Sequence, residues 1–292
     1  MGSDSTGGSS TGPEQDPSDG EVPYSEWSHH RELTISPQSD LVEHQVRVDL
    51  PLTASEAANG ADIRVVDALG NELPLWVEGP VASHLRIWIK VADLVQGVDS
   101  VYTIYYGNPA ATGAWDPELV FELFDDFDML DPTRWAYSGD WYLGADGAIT
   151  TSGIAGSQWT TDAPIVVEAV VRWGAEDGGI EPSTGVAFLG NFGGIGVAGM
   201  PLSALAVSQH EPVGRIAPGA PVHMTITRRP DAFEVAIDEI PVAVHLAGPI
   251  EPYGIGVGLL TGLTEAYDTM EIDRLFVRRY APDPGVALGP EQ

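Results

Sequence analysis

The 292-residue chain contains no cysteine and only one lysine, Lys90. Without cysteine it can form no disulfide bond, no thiolate metal site and no cysteine nucleophile. The same absence leaves the redox compartment of the protein open, because cytosolic and exported proteins can both lack cysteine.

Positive charge is scarce, with 13 Lys and Arg residues against 43 Asp and Glu residues and a formal net charge of −30. Binding to nucleic acids or anionic membranes relies on Lys and Arg to neutralise phosphates. The composition therefore predicts no nucleic-acid partner and favours neutral or cationic ligands. Repulsion among the carboxylates also predicts a soluble protein that tolerates salt.

Long hydrophobic runs are missing too. The uncharged stretch from Gly185 to Val207 is interrupted by Asn191, Pro201 and six glycines, which favour turns and strands over a membrane-spanning helix. We predict buried β-structure there and no transmembrane segment.

The first 23 residues consist almost entirely of Gly, Ser, Thr, Pro, Asp and Glu, which predicts a disordered tether. Its composition resembles the segment that follows the lipidated cysteine of a bacterial lipoprotein. This likeness implies an extracellular or outer-surface protein, with a lipid anchor and a signal peptide that this chain does not contain.

Residues 24–110 show the period-two alternation of half-buried strands. Leu85, Ile87 and Ile89 alternate with charged or aromatic neighbours, and six such runs occur without a long amphipathic helix. This pattern predicts an antiparallel, immunoglobulin-like β-sandwich. Residues 111–120 carry Gly and Pro punctuation instead, which predicts a linker.

Three segments of this first half also carry a family resemblance. They are the hairpin-like run Ala61–Glu78, the run Trp27–Ile35 and the segment Ile104–Asn108. Together they resemble the "domain of unknown function 2341" family of bacterial and archaeal surface proteins. The resemblance implies a β-sandwich at the cell surface and no particular reaction.

Residues 121–282 contain about a dozen further strand-like runs, which predicts a jelly roll, followed by a C-terminal tail at 283–292. The opening run Phe121–Trp135 and the closing run Met270–Tyr280 resemble the concanavalin A-like lectin/glucanase superfamily, which includes laminin-G-like modules. That resemblance implies a carbohydrate-related β-sandwich.

Glucanases of this superfamily place their two catalytic carboxylates on one strand as Glu-x-Asp-x-(x)-Glu. The nearest match here is Glu271 and Asp273, but Arg274, Leu275 and Phe276 stand where the second glutamate belongs. The catalytic pair is incomplete. The resemblance therefore transfers no catalytic residue, and a non-catalytic role is favoured.

Carboxylates concentrate at Asp125, Asp126, Asp128 and Asp131. Calcium prefers six to eight oxygen ligands of this kind. Jelly rolls of the resembled superfamily often hold a structural calcium near their first and last strands, so the resemblance adds Asp273 to the candidate ligands. The alternative is that these residues form ordinary Asp-rich turns.

Aromatic side chains gather early in the second half, at Trp135, Tyr137, Trp141, Tyr142 and Trp159. Such rings can stack on the faces of sugars, with polar groups alongside to fix orientation. They can equally seal the edges of a sandwich. Among them Trp141 and Tyr142, flanked by Asp140 and Gly144, are the favoured exposed platform.

The sequence thus predicts an exported two-domain β-protein whose jelly roll binds a glycan or another surface polymer without catalysis. Two alternatives stay open at this point. One is a purely structural or adhesive module that interacts with proteins, and the other is a polysaccharide-cleaving enzyme.

Overall fold

The computed structural model describes residues 24–51, 60–81, 83–173, 184–190, 196–197, 221–246, 253–259 and 269–292. The tether predicted for residues 1–23 lies outside the described residues, as does most of the stretch 185–207.

The described chain is almost entirely antiparallel β-structure, which confirms the predicted all-β class. Its elements are β1 (His29–Ser36), β2 (Leu41–Pro51), β3 (Arg64–Val66), β4 (Leu75–Val81), β5 (His84–Leu94), β6 (Ser100–Tyr106), α1 (Pro117–Val120), β7 (Leu123–Asp125), β8 (Trp135–Leu143), β9 (Ala148–Thr161), β10 (Ile165–Trp173), β11 (Thr184–Gly190), β12 (Gly196–Val197), β13 (Val222–Arg228), β14 (Ala232–Ile237), β15 (Ile240–Leu246), β16 (Tyr253–Leu259), β17 (Met270–Arg279) and β18 (Gly285–Leu288).

The first module is a sandwich of two sheets, with strand orders β18-β1-β6-β3 and β2-β5-β4. The predicted alternation holds, because Leu85, Ile87 and Ile89 point into a continuous apolar core between the sheets. The intervening side chains of β5, Arg86 and Trp88, point outward and are nevertheless buried. Something must therefore cover the outer face of the β2-β5-β4 sheet.

The C-terminal segment returns to this first sandwich. Strand β18 pairs with β1, from Leu33 opposite Leu288 to Ser36 opposite Gly285. The last residue continues the contact, because Gln292 N–H donates to the carbonyl of His30 at 3.0 Å. Residues 283–292, predicted as a tail, thus contribute the edge strand of the first module.

The second module follows one long sheet path, β12-β11-β16-β9-β17-β10-β13-β14-β15, with β8 paired to β9 and β7 paired to β17. The inward side chains of β10, β13 and β17 share one apolar core with those of β9 and β16. On β13, Val222, Met224 and Ile226 are buried, as their alternation predicts.

An aromatic cluster joins the two modules. Trp76 and Trp88 from the first sandwich meet Phe276 from β17, together with Phe121 and Phe124 from the connecting segment. The rings of Phe121 and Phe276 lie 4.4 Å apart between centroids. Aromatic pairs contribute about 0.5–1.5 kcal/mol each beyond the area that they bury. The outer face of the β2-β5-β4 sheet is therefore covered by the second module.

Polar contacts surround this cluster. Arg274 Nη2 donates to Glu78 Oε1 at 3.1 Å. On β2, at the other edge of this sheet, the Gln45 side chain donates to the carbonyl of Val120 at 2.9 Å and accepts the Arg279 N–H at 3.0 Å. These bonds satisfy polar groups that packing removes from water, and they fix how the modules face one another.

Candidate binding face

Trp135 cannot serve as a ligand platform. Its side chain is fully buried against Phe127, with ring centroids 5.3 Å apart, and its Nε1 donates to Asp125 Oδ2 at 2.7 Å. The prediction that Trp135 binds a glycan is therefore wrong, because the ring fills the core of the second module.

Trp141 and Tyr142 point to opposite sides of the sheet. Trp141 packs against the core, lies edge-on to Tyr137 with centroids 5.5 Å apart, and donates from Nε1 to the carbonyl of Ser138 at 3.1 Å. Tyr142 keeps 46% of its surface exposed. Successive residues of a strand face opposite ways, so the predicted two-ring platform does not form and only Tyr142 is presented to solvent.

Trp159 also packs against the core of the second module. Of the four glycan-binding candidates Trp135, Trp141, Tyr142 and Trp159, all but Tyr142 thus have structural environments. Burial in a β-sandwich is the usual location for such large side chains.

Asp125 is buried beneath the sheet edge. Its Oδ1 accepts the Phe127 N–H at 2.8 Å and its Oδ2 accepts the indole of Trp135. Burial raises the pKa of the Asp125 carboxyl, against the lowering effect of these hydrogen bonds. Both oxygens are engaged with the protein interior, which suits a structural role.

The neighbouring aspartates form turns. Asp126 accepts the Asp128 N–H at 3.4 Å. Asp131 Oδ1 accepts the Thr133 hydroxyl and N–H at 2.6 and 2.8 Å, and these bonds lower the pKa of the Asp131 carboxyl. Such bonds are typical of Asp-rich turns.

Throughout the described part of the chain, no group of three or more His, Asp or Glu side chains is placed to hold a metal ion. The calcium site predicted at Asp125, Asp126, Asp128 and Asp273 is therefore corrected: in the described residues these carboxylates do not assemble into a cation site. Asp273 instead occupies an irregularity in β17, where Arg274 pairs with Val170 and Ile272 with Val171.

A different set of side chains lines up across four adjacent strands. Tyr142 on β8 is opposite Ile149 on β9, Ile149 is opposite Glu271 on β17, and Glu271 is opposite Arg172 on β10. Directly paired residues share a sheet face, so we call this set the Tyr142–Arg172 row. At a strand spacing of about 4.8 Å the row is about 14 Å wide.

The Tyr142–Arg172 row lies on the face opposite the core. Its neighbours Ala148, Val171, Met270 and Ile272 are buried in the apolar core, and alternation directs the row itself outward. The Arg172 and Glu271 side chains are 24% and 21% exposed, so both can be reached from solvent.

The Arg172 guanidinium contacts two carboxylates at its end of the row. Arg172 Nη1 lies 3.1 Å from Asp146 Oδ2 and 3.6 Å from Glu271 Oε2. Gly144 keeps the space beside this pair open, because a Cβ there would lie 3.1 Å from Glu271 Oε1 and 2.5 Å from Ile149 Cδ1. Together with Asp146, the row thus offers a ring, an apolar side chain, two carboxylates and a guanidinium on one surface.

The row borders the module interface. Further along the same face of β17, Arg274, Phe276 and Arg278 contact the first sandwich. The first sandwich therefore covers the middle of this face, and among the residues that the structure describes the Tyr142–Arg172 row forms its uncovered end.

Sequence reasoning identified Tyr142 and examined Glu271, but it did not identify Arg172, Asp146 or Ile149. One local signal was available: Arg172 lies two positions after Val170 and four after Glu168, so all three side chains lie on the outward face of β10. Which strands stand side by side decides the rest of the row, and the sequence does not state that order.

No helix among the described residues is long and apolar enough to cross a membrane.

Residues 59–138 match the family described as "Domain of unknown function (DUF2341)". The match confirms the resemblance predicted for the first module, and it extends into the connecting segment and the start of the second module. Among curated protein sequences, none matches the chain.

Several solved structures show a distant likeness to this chain. The carbohydrate-binding module CBM66 from Bacillus subtilis is 12% identical, with a TM-score of 0.33, over 50% of this chain and 96% of that one. LamAcat from Zobellia galactanivorans is 15% identical, with a TM-score of 0.34, over 55% and 97% of the two chains. Trypanosoma rangeli sialidase, in complex with sialic acid, is 12% identical, with a TM-score of 0.40, over 80% and 51%. At these identities and TM-scores the likenesses identify no residue and no ligand of this chain.

Proposed function

We propose that the protein is a non-catalytic binding protein whose second module holds a glycan or another surface polymer along the Tyr142–Arg172 row. The observation that carries the proposal is the exposed ring of Tyr142 in line with Ile149, Glu271 and Arg172 across four strands. A ring that stacks on a sugar face, beside groups that hydrogen-bond its hydroxyls, is the chemistry of sugar recognition.

The charges of the row support a neutral polymer as the ligand. Asp146 and Glu271 carry two negative charges against the single positive charge of Arg172, and the whole chain has a net charge of −30. Sulfated or uronate-rich polymers would be repelled by this surface. Neutral hexoses can accept hydrogen bonds from Arg172 and donate them to both carboxylates.

The same ion pairs support a role without catalysis. Glycosidases need one carboxylic acid and one free carboxylate flanking the scissile bond. Glu271 and Asp146 both pair with the same Arg172 nitrogen, at 3.6 and 3.1 Å, so neither is the unpaired carboxylate that this chemistry needs.

The first module would act as a rigid spacer or docking unit for the second. The aromatic cluster and the returning strand β18 tie the modules together, so the row keeps a fixed orientation to the first sandwich. We place the protein outside the cell, at the outer surface, on the basis of its acidic composition and the Gly/Ser-rich first 23 residues. Intact-mass analysis of the protein purified from its native cells would show whether its N-terminus carries a lipid.

The test is binding of the full chain to neutral and to uronate-rich polysaccharides by affinity gel electrophoresis. We expect retardation by a neutral polysaccharide and at least tenfold weaker binding in the Tyr142→Ala variant. The matched control is Trp115→Ala, since Trp115 is a comparably exposed aromatic residue (42%) outside the row. Retardation that is equal in both variants, or seen only with uronate polymers, would refute the proposed site.

A purely structural role is the second candidate. The extensive interface between the modules favours it, because rigidity is what a spacer requires. This alternative predicts no retardation by any polysaccharide while the protein remains folded.

A further inference from the structure

A cleft of about 380 Å³ opens on the side of the first sandwich, between strands β2 and β18. We propose that this cleft binds an extended peptide strand, which pairs with the free edge of β2. The site is separate from the Tyr142–Arg172 row, and it belongs mainly to the first module.

The long wall of the cleft is a strand edge. Within the described residues β2 pairs with β5 on one side, and no strand pairs with its other side. The five consecutive residues Gln45–Asp49 all line the cleft, although their side chains alternate between the two faces of the sheet. It is therefore the backbone edge that faces the opening, and an edge with free N–H and C=O groups is a template for an added strand.

One side of the cleft is apolar. Val46 and Val48 from β2 lie across from Val286 and Leu288 of β18. Val286 keeps 39% of its surface exposed at the mouth of the cleft, so a bound strand could cover it. A strand in the cleft would direct every second side chain into this apolar layer.

The other side of the cleft is charged, with both signs present. Arg47 and Asp49 project from β2, and Arg278 and Asp283 project from the second module and the segment that follows it. Arg47 pairs with Glu239 at 3.1 Å and Asp49 pairs with Arg86 at 2.9 Å, yet the two side chains keep 43% and 36% of their surface exposed, so a bound strand can add contacts to both. The alternate side chains of a bound strand would meet these groups.

Charge complementarity specifies the partner. Opposite charges directly across an antiparallel pair are favourable, and like charges are unfavourable. The partner should therefore alternate apolar residues with charged ones, carrying an acidic residue opposite Arg47 and a basic residue opposite Asp49.

A copy of β2 itself has this pattern and provides a probe. In the antiparallel register centred on Val48, an added copy places its aspartate opposite Arg47 and its arginine opposite Asp49. The two neighbouring registers that keep the apolar face inward place arginine opposite arginine or aspartate opposite aspartate. Charge thus selects one register.

The experiment uses the full chain and a fluorescein-labelled, end-capped peptide, Gln-Val-Arg-Val-Asp-Leu-Pro, followed by fluorescence anisotropy. We expect saturable binding and at least tenfold weaker binding to Val286→Lys, whose longer charged side chain enters the apolar layer. The matched control is Val101→Lys, since Val101 is exposed on β6 of the same sheet but lies away from the cleft. This control should bind within twofold of the unmodified protein.

A charge exchange tests the register. Arg47→Asp should weaken binding of the probe at least fivefold, and a second probe with arginine in place of its aspartate should bind this variant as well as the first probe binds the unmodified protein. Circular dichroism and melting temperatures show that each variant is folded, and Val286→Lys does not alter the ion pairs of Arg47.

Three results would overturn the proposal. The first is no saturable binding by the folded protein, and the second is equal binding of a peptide with the same residues in the order Val-Gln-Arg-Asp-Val-Pro-Leu. The third is a concentration-dependent dimer, formed without peptide and abolished by Val286→Lys, which would make a second copy of the chain the occupant of the cleft.

Discussion

The guanidinium carbon of Arg278 lies 5.3 Å from the centre of the Trp88 ring, which links the last long strand of the second module to the middle strand of the first. Arg278 Nε also donates to the buried Glu168 at 2.8 Å. A cation held over an aromatic ring and bonded to a carboxylate is stabilised by both contacts. The two modules therefore share one buried set of interactions, and they are expected to unfold together.

Truncation of Phe276 tests this coupling. Phe276→Ala should lower the free energy of unfolding by about 3–5 kcal/mol, because the fully buried ring contacts Trp76, Trp88 and Phe121. Chemical denaturation measures the loss, and calorimetry shows whether one transition becomes two. The control, Val101→Ala, removes an exposed side chain of β6 and should cost less than 1 kcal/mol. A loss of less than about 1 kcal/mol for Phe276→Ala would contradict the proposed coupling.

Removal of residues 283–292 should destabilise the first module, although these residues follow the second module in the sequence. The deletion removes β18 and the Glu291 carboxylate, which accepts hydrogen bonds from Arg31 at 2.9 Å and from Tyr106 at 2.8 Å. Hydrogen exchange should quicken at the β1 amides that face β18. Glu291→Gln keeps the strand and should show a smaller effect. Unchanged protection of β1 in the truncated protein would refute the role of β18.

Acid sensitivity should depend on His44. Burial, together with the nearby charges of Arg278 and Arg279, lowers the pKa of His44 from its ordinary 6.5 to about 4, against the opposing effect of Asp283. Because the folded state binds this proton less readily than the unfolded state, stability is present at neutral pH and falls as the pH drops from about 6.5 to about 4. We expect a loss of about 2 kcal/mol between pH 7 and pH 5.

Denaturation curves at several pH values measure this loss, and His44→Leu should remove most of it. Glu168 provides an internal comparison. Burial alone would raise the pKa of its carboxyl, but the contacts with His223 and Arg278 outweigh burial and lower it. The stability that this lowered pKa contributes is therefore lost only as the pH falls below the ordinary pKa of a glutamate, which is a lower range than that of His44. An identical pH profile for His44→Leu and the unmodified protein would exclude His44 as the cause.

The buried bond between Trp135 and Asp125 should be measurable by substitution. Trp135→Phe retains a ring but leaves Asp125 Oδ2 without its indole donor, and an unpaired buried acceptor costs about 1–3 kcal/mol. Trp159→Phe is the control, since the Trp159 side chain packs against the same core but is only partly buried. Urea denaturation should show the larger loss for Trp135→Phe, and equal losses would mean that the hydrogen bond contributes nothing.

Local pattern in the sequence predicted the strands well. The alternation of Leu85, Ile87 and Ile89, like that of Val222, Met224 and Ile226, reports which face of a strand is apolar, and that face is buried in the structure. Such a prediction needs no knowledge of neighbouring strands, because the period of two is a property of the strand itself.

The same alternation could not show which aromatic residues are buried and which are exposed. Trp135 and Tyr142 occur seven positions apart on one strand, yet one is fully buried and the other is 46% exposed. Parity places them on opposite faces, but which face is the core is decided by the sheet that packs against β8. The candidate calcium ligands failed for a related reason, since closeness along the chain brought aspartates into turns rather than around a common point.

By itself the sequence determined the all-β class, the acidic composition, the lack of disulfide bonds and the resemblance of the first module to the DUF2341 family. The tertiary structure alone decided the Tyr142–Arg172 row, the cleft beside β2 and the return of the C-terminus. Arg31 and Glu291 illustrate the difference, because they form an ion pair although they are 260 residues apart. Composition and alternation are local properties, whereas strand order and register arise when distant segments bury a common core, so the chain must fold before these sites exist.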